Sequence, residues 1–466
     1  MTNRRKQRKR LTPVTLRDTA AAWCAARAGD LRLPGLAASL FVDRIATLRP
    51  AAAQPALNLM AFPKPALVED LLSSLEGTPN AALLGASRDV MKGIARAFLP
   101  DRLGDNFYVT DEPDLVAAKA AYRDFLRRLW PLARRRAGID LVVSSNFTYW
   151  AERELHGVCE ETGTPFVVLH KESLKSPGRV DFFGWVYRNR RGPFAGRRLL
   201  VYNEIERQLQ IDCAVAPAER ITITGMPRLD RMHAWRRQNA NRPRPPGPPT
   251  VLFFYFNAGT GLPFTPIFAD TFYGDGAHEL DPALQRLSWA ELAEATAAAI
   301  VRLARDNPGM RVIVKGKPDH AKPGQMAGPL LAPDLPDNLA IVSQGDPFAL
   351  ICQADAVCGF NSTALLESLA AGKPVVVPDF GEAREARMRP YLVDLGGAAE
   401  TAESPESLAA ALARIAAAPP PVPAELDPAV AQALDTWTGN ADGRAGARVA
   451  AALMAEIQAS GSRRAA

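Results

Sequence analysis

Short runs of consecutive apolar residues alternate along this chain with stretches in which apolar positions recur every three or four residues. The first pattern is that of a buried strand and the second that of an amphipathic helix. A helix is predicted over residues 14–28. Strands are predicted at 57–62 (LNLMAF) and 106–110 (NFYVT). Residues 113–136 read as a long helix that Pro131 should kink or end, because proline lacks an N–H and crowds the preceding turn. Further strands are expected at 140–145, 166–170, 199–202 and 221–224, with a helix over 150–161 stopped by Gly163 and Pro165.

The alternation breaks at 238–250 (QNANRPRPPGPPT), where five prolines and a glycine form no core element and read as a linker. It then restarts. Strands are expected at 251–256, 311–315, 339–343, 356–360 and 374–378, and helices at 289–305, 348–353 and 362–371. A second proline-rich break falls at 419–423, and a last helix over 444–459. No repeat of 20–50 residues is visible. Strands alternating with helices predict parallel sheets with crossover helices, so the fold class is α/β. The expected division is a basic tail (1–13), a first domain (14–237), the linker (238–250), a second domain (251–425) and C-terminal helices with a tail (426–466).

The 466 residues are 47% hydrophobic and 23% charged, the balance of an ordinary globular protein. No apolar run approaches the length of a membrane span, and no apolar segment follows the basic start as in a secretory signal. The five cysteines (Cys24, Cys159, Cys213, Cys352, Cys358) are scattered with no CxxC pair, which fits a reducing, cytoplasmic compartment. Charge changes the picture once it is located. The net charge is +6, and the first ten residues, MTNRRKQRKR, hold six basic residues and no acid. The body is therefore formally neutral, and a specific nucleic-acid partner is not expected. The tail, through residues 4–10, is expected to be disordered and able to touch an anionic membrane surface from the cytoplasmic side.

Ligands of open α/β sheets bind beyond the carboxyl ends of the strands, so candidate chemistry is sought there. After the 356–360 strand, Asn361, Ser362 and Thr363 open a helix whose free N–H groups suit an anion; Glu367, one turn on, could accept from a sugar or ribose hydroxyl. The structural alternative is a plain N-cap. Lys315 and Lys317 leave the 311–315 strand and suit a phosphate, or else a solvated turn. The chain has only 11 lysines, and six of them (Lys171, Lys175, Lys315, Lys317, Lys322, Lys373) fall in or beside such loops. Gly225 permits a tight turn, and Arg228 would point from a helix start toward the cleft. The 257–261 loop could approach a phosphate through Gly259. His170, at a strand end, could act as a general base, with Glu172 orienting it, although a lone histidine is often structural. There is no Walker motif, no G-x-S-x-G elbow, no third glycine of a dinucleotide fingerprint and no D-x-D metal pair, so neither a metal nor a resident cofactor is expected.

The segment 346–380 (DPFALICQADAVCGFNSTALLESLAAGKPVVVPDF) resembles the nucleotide-binding half of GT-B glycosyltransferases, with their helix-opening polar cluster, their glutamate and the Gly372-Lys373-Pro374 turn. Among these the layout is similar to CDP-glycerol glycerophosphotransferases and related capsule and surface-polysaccharide proteins. Their histidine motif matches His170 through Lys175, and their G-x-P-R-x-D matches Gly225, Pro227, Arg228 and Asp230. Their strand-end His-Pro falls on Lys317-Pro318, and their Asp-Tyr-Ser-Ser on Phe360-Asn361-Ser362-Thr363, so both motifs are altered here. The resemblance spans about 140–380. It implies a GT-B enzyme: two Rossmann-like domains facing a cleft, with a C-terminal helix crossing back. It implies metal-independent transfer of a sugar from a nucleotide-activated donor to a surface-polysaccharide or lipid-linked acceptor. CDP-glycerol or polyol-phosphate transfer, a UDP-GlcNAc 2-epimerase activity and a non-enzymatic assembly role remain as alternatives.

Overall fold

The computed structural model describes residues 13–171, 174–263, 287–317 and 326–465. Two sheets organise them. The first contains β1 (Ala46–Arg49), β2 (Leu57–Ala61), β3 (Ala81–Gly85), β4 (Leu141–Ser144), β5 (Phe166–Leu169), β6 (Arg198–Val201) and β7 (Ile221–Ile223), in the order β1-β3-β2-β4-β5-β6-β7. All its pairs are parallel except the edge pair β1–β3. The second contains β8 (Thr250–Phe254), β9 (Arg311–Lys315), β10 (Leu339–Val342), β11 (Ala356–Cys358), β12 (Val375–Pro378) and β13 (Glu400–Ala402), all parallel in the order β10-β9-β8-β11-β12-β13. Numbered within its own domain, the second sheet is the 3-2-1-4-5-6 order of a doubly wound dinucleotide-binding fold, and the first is 2-1-3-4-5-6 with an added antiparallel edge. The architecture is therefore two Rossmann-like domains.

Helices cover both faces of each sheet, which is why β4, β5, β8 and β11 are buried along their whole length and read as uninterrupted apolar runs. One apolar cluster runs through both domains, from Leu59, Val143 and Leu229 to Leu252, Leu366, Trp437 and Leu453. Polar contacts join the domains too. Arg231 pairs with Asp346 at 3.1 Å and lies over the Phe348 ring, and the Asn241 N–H of the linker donates to Val422 O in the second proline-rich break at 3.0 Å. The C-terminal helix Ala445–Ala465 crosses back onto the first domain, where Arg448 Nε donates to Thr224 O at 2.9 Å and Glu456 pairs with Arg198.

Three features depart from the sequence pattern. Residues 106–110 form no strand: the Tyr108 and Val109 N–H groups both donate to Arg190 O, and Tyr108 turns its hydroxyl inward to Glu154. The helix Pro113–Ala137 continues straight through Pro131, which sits on its exposed side, where water can reach the carbonyl left without a donor. The strands β1, β3 and β13 were not expected. Among the described residues no helix is long and apolar enough to cross a membrane.

Candidate functional site

A Rossmann-like sheet places its ligand where neighbouring strands send their connections in opposite directions. In the second domain that switch point lies between β8 and β11. The chain leaving β11 turns at Asn361, a non-glycine residue held at φ +46°, and enters the helix Thr363–Ala370. Ser362 is its N-cap, with Oγ accepting from the Ala364 N–H at 3.2 Å. Asn361 reaches sideways: its Nδ2 donates to Tyr391 O at 3.0 Å, and its Oδ1 accepts from the Val393 N–H at 2.8 Å. These bonds hold the 389–396 segment as the wall of a cavity of about 420 Å³. Asn361, Ser362 and Leu365 form one side, Arg389, Asp394 and Trp437 the other, and Pro177 reaches in from the first domain. The helix start thus faces an open space sized for a small molecule.

The remaining second-domain candidates do not line it, although the 257–261 loop touches Asn361, where a Cβ on Gly261 would lie 3.1 Å from Asn361 Nδ2. The Gly259 N–H is taken by Asn257 Oδ1 at 3.1 Å, within a loop closed further by Thr260 and by Trp289. Lys315 ends β9, two strands from β11, and its Nζ donates to Gly316 O and Ser343 O at 2.9 and 3.3 Å; burial lowers its pKa. Lys317 is exposed at the edge of the described segment. Glu367 is 6% exposed, and burial pushes its carboxyl up to about 7 against the pull of Arg228 and Arg231. The cavity therefore gathers Asn361 and Ser362, with Thr363 next in the chain, and not Gly259, Lys315 or Lys317.

The GMPRLD segment has a different surrounding from the expected one. Gly225 has φ +81°, and a Cβ there would lie 2.4 Å from Gly439 O. Met226 N–H donates to Thr438 O at 2.9 Å, and Asn440 Nδ2 donates to Met226 O at 3.0 Å. Asp230 accepts from the Ala445 and Gly446 N–H groups, so its carboxylate caps the returning C-terminal helix. Arg228 faces Tyr202, whose hydroxyl accepts from Nη2 at 3.3 Å, and Asp70, 3.8 Å from its Nε. The space beside Gly225 is filled by the chain that crosses back rather than open to the cleft.

His170 does follow β5, but its side chain is fully buried. Its Nε2 is 3.1 Å from Glu206 Oε1, and the Tyr187 hydroxyl donates to the same oxygen at 2.9 Å. Lys175 pairs with Glu206 Oε2, and Gln210 donates to Oε1 at 2.7 Å. Burial alone would raise the Glu206 pKa, yet the Lys175 ammonium and His170 hold it down to about 2. Lys175 is thus neutralised by Glu206. Glu172 lies outside the described residues. Glu206 went unnoticed in the sequence because, inside the helix Glu204–Asp212, it reads as one more surface acid; Tyr187 and Trp437 gave no signal at all. Among the described residues there is no group of three or more His, Cys, Asp or Glu that could hold a metal ion.

No protein-family model matches the chain. No curated protein matches it either. Solved structures are similar over most of its length at low identity. The wall teichoic acid polymerase TagF is 10% identical, covering 95% of this chain and 98% of that one, with a TM-score of 0.48. A putative UDP-N-acetylglucosamine 2-epimerase from Listeria monocytogenes is 11% identical over 86% and 97%, with a TM-score of 0.46. The glycotransferase of kitacinnamycin is 16% identical over 88% and 99%, with a TM-score of 0.42. Likenesses this distant carry no argument, and the fold rests on the strand orders above.

Proposed function

We propose that the chain is a GT-B-type glycosyltransferase that holds a nucleotide-activated donor in its second domain and an acceptor on its first. The observation that carries this is the cavity at the β8/β11 switch point, entered by the Ser362-capped helix. Backbone N–H groups at a helix start, with the helix dipole behind them, stabilise the charge that develops on a departing diphosphate. Asn361 and Trp437 shape the part of the cavity suited to the nucleoside, and Glu367 can accept from a donor hydroxyl. Lys315, Lys317, Gly259, Gly225 and Arg228 line other parts of the carboxyl edges and enter as supports of the cleft. The donor, a nucleotide sugar or a CDP-polyol, needs no resident cofactor or metal in this reading. The acceptor is a surface-polysaccharide or lipid-linked glycan.

For such an acceptor we assign His170 as the base, reached only when the side chains that enclose it part, since it is fully buried as it stands. The ionised Glu206 accepts the Nε2 proton, which leaves Nδ1 as the nitrogen able to take a proton from a hydroxyl. The acceptor-side domain also exposes Trp23 (62%) in the helix Pro13–Asp30, Leu31 (67%) and Leu33 in the turn after it, and Leu36 in the next helix, Pro34–Val42. With the basic residues 4–10 they suit contact with an anionic cytoplasmic membrane face. Calorimetric titration of the full chain with nucleotide sugars and CDP-polyols tests the reading. Saturable binding of one class, with release of its nucleotide only when acceptor is present, supports transfer. Release without acceptor favours an epimerase, and no nucleotide binding at millimolar concentration rejects the proposal. Loss of vesicle sedimentation on changing Trp23→Ser and Leu31→Ser checks the membrane contact.

A further inference from the structure

A second space lies at the opposite edge of the second sheet from the switch-point cavity. A groove of about 940 Å³ runs along the amino ends of β9, β8, β11 and β12, bordered by Arg311, Thr250, Asp355 and Pro374 at the starts of those strands. Its other walls are the linker, over 241–248, and the proline-rich segment 419–422. The linker is fastened there. The Asn241 N–H donates to Val422 O at 3.0 Å. Arg244 holds Asp355 through Nε at 2.7 Å and Nη2 at 2.8 Å, and the same guanidinium donates to Gly247 O and Pro248 O. Eight prolines border the groove. Their fixed φ angles leave little freedom to lose when a ligand enters.

The charges of the lining are unequal: Arg242, Arg244, Arg311 and Lys373 face one acid, Asp355. That acid is spent on Arg244 and on the Thr250 N–H, which it accepts at 2.8 Å. Arg242 and Arg311 stand exposed on the rim, and among the described residues neither has an acidic partner. Lys373 lies deeper, with Nζ 4.6 Å from the centre of the Trp235 ring. It donates to Cys352 O and Ala354 O at 3.0 and 2.8 Å, at the end of the helix Pro347–Gln353, which leaves one of its three donors over. No histidine borders the groove, and burial pushes the Cys352 thiol up to about 11, so nothing in the lining is poised for chemistry at neutral pH. The arrangement suits binding alone.

We propose that this groove is a second ligand site, separate from the donor cavity, for a small organic anion with an apolar body. Arg242 and Arg311 take the charged end, and the prolines and Trp235 cover the rest. An inorganic anion would use the arginines and leave the proline walls uncovered. A neutral apolar molecule would use the walls and leave the arginines without a counter-charge. The inference goes beyond the transferase reading and does not depend on it. Because the chain entering the second domain and the 419–422 segment both wall the groove, an occupant would bridge the two.

The test is a fluorescence titration of the full chain with 8-anilinonaphthalene-1-sulfonate, an aromatic anion, and with its uncharged parent N-phenyl-1-naphthylamine. The sulfonate should bind saturably. Its half-saturation concentration should rise about tenfold or more when Arg242→Gln and Arg311→Gln are combined, while that of the uncharged probe stays unchanged. Gln353 is exposed in the lining, so charge can be added there without emptying the groove. Gln353→Glu should weaken the sulfonate about threefold and Gln353→Lys should tighten it by a similar factor, in the manner of a charge added near a binding site. Neither UDP nor inorganic pyrophosphate, at millimolar concentration, should displace the probe. Absence of saturable binding, or sulfonate binding that ignores the arginine and Gln353 changes, overturns the site. An equal response of both probes to the arginine changes removes the role assigned to charge and overturns it as well. Displacement by UDP would make the groove and the donor cavity one site, and displacement by pyrophosphate would make it a site for inorganic anions; each contradicts the proposal.

Discussion

The His170 centre in the first domain and the Ser362 helix start in the second occupy equivalent places, just beyond the carboxyl ends of parallel strands, and solve opposite problems. Around His170 the charges are numerous and already matched: Glu206 takes Lys175, His170, Tyr187 and Gln210 in a space closed to solvent. Around Ser362 the charges of Asp379, Arg389 and Asp394 border an open cavity instead of filling a closed one, and the groups at its entry are a helix start and an amide side chain engaged in shaping a wall. Charged residues at strand ends are therefore poor guides to where a ligand sits, because the fold pairs them with one another. Neutral groups that border space are better guides.

The comparison can be broken first at Glu206. Replacing it by Ala leaves Lys175 and His170 buried without their counter-charge, which should cost about 3–5 kcal/mol of unfolding free energy. Denaturant unfolding that shows less than about 1 kcal/mol would mean that water reaches the network. Next comes the response to pH. Burial raises Glu367 from 4.5 to about 7, so the folded protein binds that proton more tightly than the unfolded chain. Its contribution is complete below 4.5 and is lost as pH rises through about 7, a change on the order of 3 kcal/mol. Glu206 is opposite in sign: its contribution is present above 4.5 and disappears as pH falls through about 2. Glu367→Gln should flatten the loss of thermal stability between pH 4.5 and 7 and leave the acid limb unchanged; an unaltered profile would show that Glu367 is ionised in the folded state at neutral pH.

Gly439 tests the crossing segment. It sits at φ +58°, and a Cβ there would lie 1.9 Å from Tyr202 O. Gly439→Ala should cost roughly 1–3 kcal/mol and loosen exchange protection over 445–465. A neutral effect would show that the C-terminal helix docks without the GMPRLD turn. The smallest effect is expected at the cavity. Ser362→Ala removes one cap, about 1 kcal/mol, while the backbone N–H groups remain. Stability should fall slightly, and nucleotide affinity should fall less than tenfold. A hundredfold loss of affinity would make the hydroxyl itself a ligand.

Much of the fold was legible because strands covered on both faces must be apolar where they are covered, as 251–254 and 312–314 are, and because the linker prolines punctuate the chain. The strand Ala81–Gly85 was missed since AALLG is as compatible with a helix as with a strand, and the aromatic, β-branched 106–110 misled because Arg190 O, remote in sequence, claims its N–H groups. The helix start at Asn361 and Ser362 was legible because a polar trio between a buried strand and a helix reads as an N-cap, which Ser362 is; that it borders a cavity was not legible. Gly225 and Arg228 were placed correctly on the chain but not in space, since Gly439 and Asp70 belong to distant segments and periodicity says nothing of who fills a turn.

The central claim is that the donor's diphosphate rests on the start of the Thr363–Ala370 helix. A crystal of the full chain soaked with a nucleoside diphosphate, in UDP and CDP forms, tests it most directly through the position of the phosphorus atoms. The account predicts both phosphates within hydrogen-bond distance of the backbone N–H groups or hydroxyls of Ser362 and Thr363, with the nucleoside between Asn361 and the 389–396 wall. Phosphates bound instead at the 257–261 loop or on Lys315, with the Ser362 cavity empty, would contradict it.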